Sequence, residues 1–217
     1  MYYFTSGCLG LISGLVFYFI ALHHVEVRSE YDNGTKLKML KDKKYIFVWM
    51  FASAVLFLII AKMHFDYWQM FRVCLFTMLA LNVSAVDILL RRIPNSVLLG
   101  MIVLHIANIA VTSGKGVDVV ESCMHSMVGM VLAYLVFVLP SICGLRVGGG
   151  DIKYGAVIGF MLGFYGYIEA MAIMAASVLV YYAYLKITKT GNIKTAAPMA
   201  PFLSIGAFIA LLFPVFG

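Results

Sequence analysis

The sequence predicts an all-α, polytopic transmembrane helical bundle of about eight helices. Of its 217 residues, 63% are hydrophobic and only 12% charged, where a soluble domain carries about 25% charged residues. Mean hydropathy is +0.98, so the solvent of this chain is largely lipid. Every backbone polar group in a bilayer needs an internal partner, so only helices or a closed barrel can span it. The apolar runs approach the roughly 20 residues that a spanning helix requires and lack the alternation of barrel strands.

Taken in order, the runs predict helices at 2–23, 46–62, 69–90, 96–113, 122–144, 152–164, 167–187 and 195–216. The first has no basic stretch before it and is followed by further apolar runs, so it reads as a membrane helix rather than a cleaved signal peptide. The segment 25–44 mixes Lys, Glu, Asp, Asn and Gly and reads as a basic cytoplasmic loop near anionic lipid. The stretch from Asp151 to Lys186 is too long for one ordinary span, and Gly163, Phe164, Tyr165 and Gly166 offer a tight turn. Charge placement favours that division, because Lys and Arg accumulate in cytoplasmic loops. With an outside N-terminus, the odd loops hold Arg28, Lys36, Lys38, Lys41, Lys43, Lys44, Arg91, Arg92, Arg146, Lys153, Lys186, Lys189 and Lys194, the even ones only Lys62, Arg72 and Lys115. Merging the sixth and seventh helices sends the last three lysines outside and weakens the bias. The domain reading is an N-terminal membrane region, 1–68, followed by a second membrane domain, 69–217.

The net charge of +6 does not point to nucleic acid, since the basic residues sit between apolar runs rather than on a folded face with interleaved aromatics. Cys8, Cys74, Cys123 and Cys143 show no metal-binding or disulfide spacing and read as buried small hydrophobes. His23, His24, His64, His105 and His125 form no ligand pattern, and interfacial or satisfied core histidines are expected. The 14 methionines read as flexible packing residues.

The acids are more informative. Glu26, Glu30, Asp32 and Asp42 fall in the first loop, and Asp66, Asp118, Glu121 and Glu169 near the opposite face. That leaves Asp87, near the inner end of the third helix, and Asp151, opening the sixth after Gly148, Gly149 and Gly150. A carboxylate in or bordering a membrane helix is costly enough to suggest function. The structural alternatives are an ion pair between Asp87 and Arg91 one turn on, and a first-turn acid opposing the helix dipole at Asp151. The triple glycine permits close backbone approach beside an acid. Two carboxylates in a partly desolvated site share a proton, the arrangement peptide hydrolysis by an acid–base pair requires.

At these residues the chain resembles the type IV prepilin peptidase family, membrane aspartyl proteases of the GxGD kind. Asp87 followed by Arg92-Ile93-Pro94-Asn95 is similar to the family's first catalytic aspartate and its R-x-I-P-N segment. Gly148-Gly149-Gly150-Asp151-Ile152-Lys153 is similar to its GGGDIK. Pro198-Met199-Ala200-Pro201-Phe202-Leu203-Ser204-Ile205-Gly206 resembles its P-x-G-P-F-L-x-x-G, with Ala200 where glycine is usual. The resemblance, over roughly 70–217, implies Asp87 and Asp151 as catalytic acids and Gly148 to Gly150 as substrate-positioning. It also implies a prepilin or pseudopilin substrate cut at its basic leader, and the bacterial cytoplasmic membrane with the active site toward the cytoplasm.

The first 65 residues depart from the larger, bifunctional members that also N-methylate the cleaved pilin. Gly10 and Gly14 keep a glycine spacing, but Leu15 and Val16 replace the expected Ser and Phe, and segment 25–44 has no cysteine for a zinc loop. No metal or organic cofactor is expected, and methyl transfer is the lesser alternative. A different GxGD intramembrane protease would have Tyr where Val86 precedes the first acid. A proton-coupled transporter would place its acids near the midplane, often with repeated halves.

Overall fold

The computed structural model describes residues 2–29, 43–63, 65–144, 147–189 and 197–215. Among them seven helices follow one another: α1 Tyr2–Ser29, α2 Lys43–Lys62, α3 Tyr67–Leu90, α4 Asn95–Ser113, α5 Val119–Ile142, α6 Gly149–Thr188 and α7 Ala200–Leu212. All but α7 are long and apolar enough to cross a bilayer. The chain is an all-helical, multi-pass bundle, as its composition requires. It divides into two compact units, Met1–Val97 and Leu98–Gly217.

In the first unit, Gly10 and Gly14 let α1 lie directly on α2. A Cβ at Gly10 would stand 2.7 Å from Ala54 Cα, and one at Gly14 would stand 2.8 Å from Ser53 Oγ. Small residues drive such close approach where lipid removes the hydrophobic advantage of association. The third helix opens with a capping box: the Gln69 N–H donates to Asp66 Oδ1 at 2.7 Å, and the Asp66 N–H to Gln69 Oε1 at 3.4 Å. Deeper in, fully buried Asn82 donates from Nδ2 to the Phe17 carbonyl of α1 at 3.2 Å, which ties α3 to α1 where an unbonded amide would be costly.

The first helix runs past the boundary expected at residue 23, through Ser29. Val25 is completely buried and joins Tyr18 and Val86 in a cluster with Leu22, Ile46, Trp49, Leu89 and Leu90. That packing holds the polar tail of α1 helical, and Lys43 already belongs to α2. The expected loop 25–44 is thus shorter at both ends. Its residues Glu30, Asp32, Lys36, Lys38, Lys41 and Asp42 lie outside the described residues, as do His64, Arg146 and Lys194.

In the second unit, α6 has 40 residues, which would extend about 60 Å if straight, twice the hydrocarbon thickness. It is not straight. Gly163 leaves helical values with φ 69° and ψ −171°, inside the turn expected at 163–166. Contacts with α7 show what this does. Glu169 Oε1 accepts from the Val215 N–H at 2.9 Å, Gly206 lies against the Ala170 carbonyl, and the rings of Phe202 and Tyr181 are 5.3 Å apart. Ser204 therefore stands opposite the stretch between Met174 and Tyr181. On a straight helix Tyr154 would be at least about 30 Å further back. Yet the Tyr154 hydroxyl lies 2.6 Å from Ser204 Oγ. The chain reverses at Gly163, so 149–162 and 164–188 form a helical hairpin, with α7 parallel to the first limb and antiparallel to the second.

The fifth helix closes the other side of the first limb, with Phe137 against Gly155, Ala133 against Gly159 and Gly129 against both Gly159 and Gly163. It begins earlier than expected because Asp118 caps it, accepting from the Val120 N–H at 2.8 Å. The seventh helix is shorter than the expected 195–216, with Pro201 in its first turn, where proline's missing N–H costs nothing. The cysteines do not all meet the expectation of burial: Cys74 is buried and Cys8 partly so, but Cys123 and Cys143 are exposed on the outer surface of the helical unit.

Candidate active site

In the first unit, Asp87 occupies the last turn of α3 and is only 5% exposed. The residue before it, Val86, packs in the cluster with Tyr18 and Val25. The helix ends four residues later, where Arg91 adopts left-handed values (φ 50°, ψ 40°) and donates its N–H to the Asp87 carbonyl at 2.8 Å. Arg91 and Arg92 are exposed, whereas Ile93 and Pro94 are buried. A bond from the Val97 N–H to the Pro94 carbonyl, 3.1 Å, then starts α4. The R-x-I-P-N segment thus ends the helix bearing Asp87 and begins the next one.

In the second unit, Asp151 is the third residue of α6 and is partly exposed. Gly148 takes the capping position with extended backbone and no side-chain cap. Its carbonyl accepts from the N–H groups of Asp151 and Ile152, at 3.0 and 3.2 Å. The Asp151 carboxylate folds back over this terminus: a Cβ on Gly148 would lie 2.7 Å from Oδ2. A carboxylate here meets the positive end of the helix dipole. Gly148 and Gly149 are exposed and Gly150 half-buried, and a Cβ on Gly149 would meet nothing within 4 Å. The glycines therefore leave bare, approachable backbone beside an acid.

The type IV leader peptidase family model matches residues 74–185, just over half of the chain. The chain belongs to the type IV leader peptidase family. No curated protein and no solved structure matches it. Membership in this leader peptidase family makes the chain a peptidase, set in a multi-pass membrane framework. The matched stretch contains both Asp87 and Asp151, with the three glycines, and stops before the Pro198 to Gly206 segment that begins α7.

His105 is buried in α4, with Nε2 2.8 Å from Ser126 Oγ, and Ser126 in turn donates to the Ser122 carbonyl at 2.9 Å. Because that donation uses the only serine proton, His105 is the donor to Ser126, and it is a core histidine as its position suggested. Asp118, Glu121, His125, Phe164 and Tyr165 line a cavity of about 540 Å³ at the far end of the first limb of α6 from Asp151. Sequence reading missed the bond between Tyr154 and Ser204. Three residues after Asp151, a tyrosine in an apolar run reads as ordinary packing, and its partner lies 50 residues away.

Proposed function

We propose that this peptidase is an aspartic endopeptidase that removes the leader of type IV prepilin-like proteins at the cytoplasmic membrane face, with Asp87 and Asp151 as its catalytic pair. One observation carries the reading: the stretch matched by the family contains both acids, and each occupies a terminal turn of its helix, the last of α3 and the first of α6. Between the two acids in sequence lie α4 and α5, each long enough to cross a bilayer, and two crossings support placing both acids toward the cytoplasm. The catalytic region is taken as 69–217, a functional boundary distinct from the packing boundary at Val97.

One carboxylate of such a pair is ionised and the other protonated, and the pair titrates as a unit. The ionised acid takes a proton from water as its oxygen attacks the scissile carbonyl carbon, and the protonated acid donates to the carbonyl oxygen. Collapse of the tetrahedral intermediate breaks the C–N bond, and the leaving nitrogen takes the proton that water gave up. The exposed backbone of Gly148 to Gly150 lets an extended substrate lie against Asp151. Neither a metal nor an organic cofactor enters these steps. A prepilin or pseudopilin and surrounding lipid are the partners implied.

The test is coexpression with a prepilin, following leader loss as a mobility shift. Asp87→Asn and Asp151→Asn should each abolish processing with expression and insertion unchanged, while Asp118→Asn and Glu121→Gln leave it intact. Full processing by either of the first two variants would remove that acid from the mechanism.

A further inference from the structure

We infer that Tyr154 and Ser204 are positioning residues for Asp151, an inference that rests on the catalytic reading above. Tyr154 lies one helical turn beyond Asp151 and is completely buried, and Ser204 is 8% exposed. Their oxygens are 2.6 Å apart. Ser204 also donates to the Ala200 carbonyl one turn back, at 2.7 Å. With that proton committed, the tyrosine is the donor and Ser204 Oγ the acceptor. The chain Tyr154 to Ser204 to the Ala200 carbonyl therefore fastens the helix that opens with Asp151 to the first turn of α7.

The first limb of α6 is short, about 21 Å by its rise, and its opposite face meets α5 through Gly155 and Gly159. Glycine contacts allow close approach but are apolar and carry no directional bond. The tyrosine–serine bond supplies one that fixes the limb along its axis and about it. Because α7 runs parallel to this limb, Ala200 stands at the level of the turn containing Gly150 and Asp151. The segment Pro198 to Pro201 consequently sets where Asp151 sits. A carboxylate that must hold water against a scissile carbonyl tolerates little displacement; about 1 Å of misplacement can cost 10²-fold in rate.

The experiment uses the full-length protein in lipid nanodiscs, a synthetic prepilin segment spanning leader and apolar helix, and measured kcat, KM and Tm. Tyr154→Phe removes the tyrosine hydroxyl while Ser204 keeps its bond to Ala200. Tyr154→Phe and Ser204→Ala should each lower kcat about tenfold with KM unchanged, and the double variant should lose no more than the worse single one, because both remove the same bond. Ser204→Thr, which retains a hydroxyl, should recover most of kcat. A lower Tm with unchanged kcat in the folded fraction of both single variants would reduce the pair to scaffolding and overturn the inference; so would additive losses. If Tyr154→Phe does not fold, Ser204→Ala against Ser204→Thr decides by the same measure. Asp151→Asn separates the two levels of argument. Its inactivity beside unaltered kcat in Tyr154→Phe and Ser204→Ala overturns the positioning role alone, whereas retained cleavage in Asp151→Asn overturns the catalytic reading and this inference with it.

Discussion

At Gly148 a single methyl group would stand 2.7 Å from Asp151 Oδ2. The obstructing atom is the tip of a side chain, so Gly148→Ala should fold, with the carboxylate pushed from its place over the helix terminus. We expect cleavage to fall between about tenfold and a hundredfold, with a Tm close to that of the parent, both read on the purified protein. Gly149 offers the complementary case. Its Cβ would meet nothing, and alanine in a helix is favoured over glycine by roughly 0.5–1 kcal/mol. Gly149→Ala should leave Tm unchanged or slightly higher, so lost cleavage measured as a raised KM reports crowding of the substrate backbone. Unchanged kcat and KM would show that substrate does not pass over this residue. The two acids were legible in the sequence because charge is scarce in an apolar chain, so each carboxylate stands out. Tyr154 was not, because a tyrosine at an apolar position carries no mark of the hydroxyl's partner.

At the scale of elements, legibility depended on whether a local signal or a distant contact set the boundary. The start of α7 follows from Pro201, and the start of α3 from the Asp66 and Gln69 pair; both are written in adjacent residues. The end of α1 is different, since Val25 stays helical by packing on Val86, more than 60 residues away in the chain. The hairpin in α6 falls between these cases. Two glycines marked the turn, but only the contacts of α7 with Tyr154 and Tyr181 establish reversal rather than a bend. Gly163 combines positive φ with extended ψ, a region essentially reserved for glycine, where another residue costs about 1–3 kcal/mol. Gly163→Ala should therefore lower stability by that amount, read as a reduced Tm in detergent. Gly129→Ala should be worse: its Cβ would run into the Gly159 carbonyl oxygen, and backbone cannot move aside as a side-chain tip can. A Gly129→Ala protein as stable as the parent would show that α5 and the first limb of α6 separate easily.

For the whole molecule, the reversal at Gly163 decides on which side of the membrane the chain emerges after α6. A straight α6 would carry Lys189 to the side opposite Asp151; a hairpin returns it to the same side. The distribution of Lys186, Lys189 and Lys194 asks for the hairpin if that side is the cytoplasm, and the contacts of α7 ask for it independently of charge. Single-cysteine accessibility tests the arrangement. The four native cysteines must first be replaced, because Cys123 and Cys143 are exposed and would contribute background. In that parent, Val117→Cys, in the exposed connection between α4 and α5, should react with an impermeant maleimide added to intact cells. Asn95→Cys, at the other end of α4, and Lys189→Cys, exposed at the end of α6, should react only after permeabilisation. The 19 residues of α4 span about 28 Å, so opposite behaviour at its two ends follows from its length once it crosses. Labelling of Lys189→Cys from outside, with Asn95→Cys still protected, would straighten α6 in the membrane and put its C-terminal end on the far side from Asp151. Labelling of Asn95→Cys from outside would invert the bundle and put Asp87 on the outer face, where a leader still held in the cytoplasm could not reach it.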